Sequence, residues 1–501
     1  MPDQKTSRTG LSKSLYLRGM QCHKSLYLLK HHKKLQDKKK DSQQAVFAAG
    51  TAVGKLAQDL FPGGEEISVE DLTIPERVKK TRELIDAGIT TIYEASFEYD
   101  GLFVMVDILH KGENGWDLYE VKSSTSVKDV NLHDVSFQYY VLTNAGIDVH
   151  KAYLVHIDTS YIRNGDIEVD KLFTIVDLTD SALSLLTSVP LNIKSIRSAL
   201  SGETPNIDIG PHCSDPYECD FHGYCWRHIP NDSIFSLRGR GINKFDFYKK
   251  GIIKFEDLPL GELNDVQLFQ AEMHLKRGEQ IEPEGLIDFL SSLWYPLCHF
   301  DFETFTSPVP LYDGTSPYQQ IPFQYSLHIQ HEKGGPVEHR EFLAEPNEDP
   351  RENLINKMIA HIPIGACVLT YHMAFEKTRI QELIKAFPKY ADRLNLILEN
   401  VRDLIVPFRK RYAYRWQQKG SNSIKDVLPA FTDLSYKDLE ISDGGMAMDA
   451  YHIMCKEKDH DKYAKLRKNL KLYCERDTEA MVKLHQCLED IVAGKFISGH
   501  L

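Results

Sequence analysis

Residues 293–305 read LWYPLCHFDFETF, and the two acids in this otherwise apolar run decide the reading of the second half of the chain. In a strand successive side chains point to opposite faces, so Asp301 and Glu303 share one face while Phe300 and Phe302 take the other. A short apolar run with strongly β-forming residues predicts a buried strand. Two neighbouring buried carboxylates repel and are costly to desolvate unless a cation sits between them. The run therefore predicts a metal-binding strand.

The same anomaly recurs near the C-terminus, in RKNLKLYCERDTEAMVKLH (467–485). Its helical stripe runs Leu466, Leu470, Tyr473, Asp477, Met481, Leu484, so an acid occupies a core-facing position with a tyrosine one turn before it. Between the two lies Tyr371-His372-Met373-Ala374-Phe375-Glu376. Together these stretches resemble the DEDD exonucleases of the RNase H-like fold, in the subclass whose last motif is Tyr-x-x-x-Asp. The middle motif departs from the commoner Asn-x-x-Phe-Asp, with Glu376 for Asp and His372 near the usual Asn. The resemblance implies that Asp301, Glu303, Glu376 and Asp477 hold two Mg²⁺ or Mn²⁺ ions, with Tyr473 orienting the attacking water.

The first half carries a second acid set. Residues 90–125 read as a three-stranded meander, with turns at Tyr99-Asp100-Gly101 and Glu113-Asn114-Gly115. Asp107 interrupts GLFVMVDIL (101–109), and Glu120 and Lys122 share one face of WDLYEVKSS (116–124). Two carboxylates from neighbouring strands can hold a divalent cation, and a lysine two residues on can orient water or offset developing charge. An exposed Glu/Lys pair on a two-sided strand is the alternative. With Gln138 on the helix that follows, in HDVSFQYYVL (133–142), the set resembles the PD-(D/E)xK nucleases of the RecB-like class. Those relatives often carry a metal-binding His on an early helix. The corresponding stretch here, FAAGTAVGKLAQDLF (47–61), offers Gly54, and Glu94 is a substitute ligand.

Cys213, Cys219 and Cys225 follow one another with five intervening residues in PHCSDPYECDFHGYCWRH (211–228), and Cys22 lies far upstream. Regularly spaced thiols suit a soft metal or an iron–sulfur cluster, and zinc accepts the same set. One early and three late cysteines bracketing a RecB-like core resemble the iron–sulfur nucleases of CRISPR adaptation and of some helicase–nucleases. This implies a structural [4Fe-4S] cluster on Cys22, Cys213, Cys219 and Cys225, with Zn²⁺ as the alternative.

At 501 residues the chain exceeds one hydrophobic core. The expected division is 1–228 for a RecB-like domain, 229–290 for a charged helical connector, and 291–501 for an RNase H-like domain, α/β throughout. The whole resembles a bacterial family of uncharacterised RecB-like/DEDD fusion proteins. A polar start, MPDQKTSRTG, and no apolar run near roughly 18 residues predict a cytoplasmic protein without a membrane partner. The net charge of −12 argues against a protein that simply coats DNA, so nucleic-acid binding must rest on local basic patches. Two are candidates: Lys33, Lys34, Lys38, Lys39 and Lys40, which a solvated helix face explains as well, and the cation–aromatic run RKRYAYRWQQKG (409–420), which a partly buried helix with snorkelling arginines also explains. Arg238, Arg240 and Lys244 form either a backbone-gripping loop or an ordinary turn.

These readings converge on a nuclease with two sites acting on single-stranded DNA, the DEDD site degrading from a 3′ end. The alternatives are a DEDD exonuclease on DNA or RNA whose N-terminal half is a binding clamp, and a non-catalytic nucleic-acid-binding scaffold.

Overall fold

A computed structural model describes residues 10–38 and 41–495. Lys39 and Lys40 lie outside the described residues, as do residues 1–9. The class is mixed α/β, and the chain divides into two compact units, 1–228 with 307–319 and 229–306 with 320–501.

In the first unit, strands β1 (Thr91–Tyr99), β2 (Leu102–Lys111), β3 (Trp116–Lys122), β4 (Val149–Ile157) and β5 (Phe173–Asp177) lie side by side in sequence order. The meander β1–β2–β3 is antiparallel, as the turn signals predicted. Strand β4 runs parallel to β3, which requires a crossover. Helix Asp129–Asn144 supplies it.

One feature of this sheet positions a site. Pairing of β2 with β3 stops at Ile108 and Tyr119, so Asp107 and Glu120 sit where the two strands part. The two-residue strand Leu11–Ser12 enters beside the freed end of β2, opposite Leu102 and Phe103. Helix α1 (Lys13–Gln21) starts immediately after it, capped by the Ser12 hydroxyl. Helices α2 (Asp41–Ala57) and α3 (Asp129–Asn144) follow. Alternation along β3 puts Leu118 in one core and Tyr119 and Val121 in another, while along β1 and β2 the facing changes beside Glu94 and Asp107, so Ala95, Phe97 and Val104 join Leu118 and Tyr93 and Ile108 join Tyr119. Segment 307–319 belongs to this unit. Val309 and Tyr318 pack on the second core, and the Tyr318 hydroxyl donates to the Ser123 carbonyl.

The second unit centres on a five-stranded sheet of β6 (Leu297–Phe305), β7 (Ile321–Gln330), β8 (Val337–Leu343), β9 (Cys367–Thr370) and β10 (Val401–Asp403). The order is β8-β7-β6-β9-β10, antiparallel on one side of β6 and parallel on the other. Strand β6 is thus central, and Phe300 and Phe302 are buried as expected. Each ring contributes roughly 1.5–3 kcal/mol by leaving water. Helices α4 (Ala374–Ala386), α5 (Ile424–Phe431) and the 33-residue α6 (His460–Val492) complete the surroundings of the site.

Residues 229–290, expected as a separate connector, group with the second unit. They have an apolar cluster of their own, built from Ile234, Leu237, Phe247, Phe255, Leu258 and Ala271. The segment is helical as expected, with α-helices at Lys244–Lys249, Asp265–Lys276 and Pro283–Ser291 joined by short helical turns. Among the described residues no helix is long and apolar enough to cross a membrane.

Candidate metal-dependent sites

In the second unit, Asp301 and Glu303 come from β6, Glu376 from the first turn of α4, and Asp477 from the middle of α6. All four line one cavity of about 520 Å³. Glu303, Glu376 and Asp477 are 7%, 2% and 8% exposed, so the chain places acids in an interior that disfavours charge. Burial, and then Asp477, Glu376 and Glu303, push the Asp301 carboxyl well above the usual carboxylate range. Burial likewise raises Glu303, with Asp477 adding to it, and lifts Glu376 to about 8. Asp477 reaches only about 6, because hydrogen bonds from Tyr436 and Tyr473 and the nearby Lys425 oppose the effect of burial.

One atom tests whether a cation belongs here. Glu376 Oε2 is buried with no hydrogen-bond partner. An orphaned carboxylate oxygen costs its full desolvation, so a positively charged ligand fits the site chemically. All-oxygen donors suit Mg²⁺ or Mn²⁺. Cys474 adds a sulfur: one ligand atom from each of Asp301, Glu303 and Cys474 lies within 4.8 Å of the others.

Several residues here escaped the sequence reading. The Tyr436 hydroxyl donates to Asp477 Oδ1 at 2.6 Å. Lys425 Nζ, on α5, lies 5.7 Å from the Tyr436 ring centroid and 5.5 Å from that of Tyr473, within cation–π range. Asp403, at the end of β10, accepts from the His372 backbone N–H at 2.9 Å. It thereby holds His372 at a φ of +80°, a conformation costing about 1–3 kcal/mol just ahead of the turn that carries Glu376. Nothing in the local sequence around Asp403, Lys425 or Tyr436 assigns these side chains to the acids, so only the fold reveals these partners.

In the first unit the structure brings Asp107, Glu120, Lys122 and Gln138 together and adds two residues. Gln138 Nε2 donates to Glu120 Oε2 at 2.7 Å and to Asp134 Oδ1 at 2.9 Å. Lys122 bonds Glu120, and bonds Asp134 at 2.9 Å. Lys13, delivered by the start of α1, donates to both Glu120 oxygens at 2.7 and 2.9 Å. Burial opposes ionisation of Glu120, but Lys122 and Lys13 outweigh it and hold its carboxyl below the usual range. Asp107 accepts from the Val121 N–H at 2.6 Å, and burial and Glu120 push its carboxyl up to about 7. Glu94, on β1, has a φ of +57° and is raised by burial, with Lys13 and Glu120 close enough to act on it. A Cβ at Gly54 would meet nothing within 4 Å.

The four cysteines predicted as ligands share one small cavity, with Lys24 and His222 also at its wall. Burial raises the Cys22 and Cys225 thiols, and neighbouring cysteines raise both further. Among the described residues, no three of the four sulfurs lie within 4.8 Å of one another. A single tetrahedral ion with Zn–S of about 2.3 Å needs sulfurs about 3.8 Å apart.

The cation–aromatic run 409–420 is packed into the unit. Arg415 is 6% exposed and bonds the Ala430 carbonyl, and Arg411 lies over the Phe269 ring. These two cations cover apolar surface, whereas Arg409 and Lys410 are exposed. Lys33, Lys34, Lys38, Arg238 and Arg240 are exposed.

Residues 298–423 match a domain of unknown function, DUF2779. The match includes Asp301, Glu303 and Glu376 and stops short of Tyr473 and Asp477. The chain is 25% identical over 275 residues to the "Uncharacterized protein MG366 homolog" of Mycoplasma pneumoniae, covering 47% of this chain and 38% of that protein. It is 26% identical over 219 residues to "Uncharacterized protein MG366" of Mycoplasma genitalium, covering 39% and 32%. The aligned stretch thus spans about a third of these relatives' length.

Proposed function

We propose that this chain is a metal-dependent nuclease whose hydrolytic centre is formed by Asp301, Glu303, Glu376 and Asp477. The observation that carries this reading is the convergence on one cavity of three buried acids and the half-buried Asp301, from three separate elements, with Glu376 Oε2 left without a partner. A mixed sheet with the Asp-x-Glu strand at its centre supports the RNase H-like assignment.

The four carboxylates would hold Mg²⁺ or Mn²⁺, which supplies polarisation of the phosphoryl oxygen and activation of water when bound. The protein's own contribution is positioning. Tyr436 and Tyr473 donate to Asp477 and fix its orientation, Lys425 offsets negative charge at the cavity, and Tyr473 stands where it can orient the attacking water. The substrate class is single-stranded DNA, degraded from its 3′ end, with RNA as the alternative because no residue is assigned to reading a 2′-hydroxyl.

A second reading concerns the first unit. Its carboxylates Asp107, Glu120 and Asp134 already face Lys13 and Lys122, so two of the three charges are met without a metal. That favours a nucleic-acid-binding clamp over a second RecB-like nuclease. The open space at Gly54, where the family's His is absent, points the same way. For the cysteine quartet, four thiols lining one cavity support a structural [4Fe-4S] cluster, with Zn²⁺ as the alternative.

The test is an anaerobic Mn²⁺ assay with 3′-labelled, 5′-labelled and circular single-stranded DNA for the wild type, Asp301→Ala and Lys122→Ala. Stepwise 3′ shortening lost only in Asp301→Ala supports the main reading. Cutting of the circle lost only in Lys122→Ala overturns the clamp and restores a second nuclease site.

A further inference from the structure

On the sheet face beneath α6, His328 of β7 stands directly opposite His339 of β8, their rings stacked with centroids 4.6 Å apart. Glu475 approaches from α6, and one ligand atom from each of the three lies within 4.8 Å of the others. A hydrogen-bond chain ties both rings to α6. Thr478 Oγ1 lies 2.6 Å from Ser326 Oγ and 2.8 Å from His328 Nδ1. Ser326 Oγ lies 2.9 Å from His339 Nε2.

One nitrogen of each ring is engaged in this chain, which leaves Nε2 of His328 and Nδ1 of His339 for a ligand. His339 Nδ1 faces Glu475 Oε1 at 3.6 Å, a contact that a shared cation would satisfy. Metal-ligating histidines donate their second N–H to a protein oxygen in this way, which orients the ring and sharpens its basicity. A proton on His339 would also relieve the contact, giving a bare His–Glu ion pair.

We propose that His328, His339 and Glu475 form a transition-metal site for Zn²⁺, separate from the acid cluster. Two imidazoles and one carboxylate suit zinc, with water as a fourth ligand at this half-buried position. The all-oxygen set at Glu376 and Asp477 suits Mg²⁺ or Mn²⁺ instead. Glu475 lies between Tyr473 and Asp477 on α6, so the ion ties β7 and β8 to the helical turn that presents both. Burial, with His339 beside it, lowers the His328 imidazole to about 4, consistent with a neutral ligand. The inference does not depend on the nuclease reading.

The experiment is zinc titration of the full-length, cluster-loaded protein with X-ray absorption at the zinc edge, for the wild type, His328→Gln/His339→Gln, Glu475→Gln and Glu303→Gln. Expected are one zinc equivalent with nitrogen and oxygen ligands, kept in Glu303→Gln and lost in the double variant. Glu475→Gln, the mildest change, should bind at least tenfold more weakly while keeping the wild-type circular dichroism. Zinc carried only on sulfur, or equal zinc uptake by the wild type and Glu475→Gln, overturns the site and leaves the ion pair.

Discussion

Stripping divalent metal from the second unit should make its stability fall as pH rises, and the structure sets the scale. The buried Glu376 carboxyl is raised from an ordinary 4.5 to about 8. Because the folded pKa lies above the unfolded one, folding favours the protonated form. The contribution is complete below about pH 4.5 and is lost as pH climbs through 8. At about 1.36 kcal/mol per pH unit, 3.5 units amount to about 5 kcal/mol. Asp301, Glu303 and Asp477 are raised too, and they share the same repulsion, so their effects overlap and do not simply add. For a unit of this size the loss corresponds to a melting-temperature drop on the order of 10 °C in EDTA between pH 5 and pH 8. Mn²⁺ should cancel most of that drop by supplying the positive charge that protons supply at low pH. Glu376→Gln, which cannot ionise, should melt above the wild type in EDTA at pH 8 and gain less from Mn²⁺. Differential scanning calorimetry of the full chain measures each of these conditions. A transition insensitive to pH in EDTA and to Mn²⁺ at pH 8 would refute the argument that these acids are poised for a cation.

Other perturbations address single contacts. Tyr436→Phe removes the hydroxyl that helps keep Asp477 near 6, so the acid limb of the pH–rate profile should move up by about one to two units; an unmoved limb contradicts the assigned role. Lys13→Met leaves Glu120 with one lysine fewer and should cost the first unit about 3 kcal/mol, read as a lower urea midpoint in EDTA, whereas an unchanged midpoint means Lys13 is dispensable. Cys219→Ser should abolish the visible absorption of an iron–sulfur cluster and speed limited proteolysis of the first unit while sparing activity at the acid cluster; retained absorption excludes that ligand.

The legible parts of the sequence were those where one residue broke a pattern. Asp301 and Glu303 stand out because a buried strand has no ordinary use for acids, and Asp477 because it interrupts the apolar stripe of α6. The meander of residues 90–125 was readable from its two turns, and the cysteines from their spacing. Lys13 was invisible. Its role arises from the strand Leu11–Ser12 lying beside β2, a pairing between residues about ninety positions apart that no local pattern encodes. Tyr436 and Lys425 likewise reach the acids only through the packing around α5 and α6. In the run 409–420 composition alone left two readings open, and the structure shows Arg411 and Arg415 over the Phe269 and Phe431 rings, because long cationic stems cover apolar rings as readily as they meet phosphates.

The most direct measurement is the length distribution of 5′-labelled single-stranded DNA incubated with the wild type and with Asp301→Ala, in Mn²⁺ and in EDTA. A Mn²⁺-dependent ladder shortening from the 3′ end in the wild type, absent in Asp301→Ala and in EDTA, is the predicted result. Intact DNA with the correctly folded wild type in Mn²⁺, or equal degradation by Asp301→Ala, would contradict the assignment of this cluster as a hydrolytic centre.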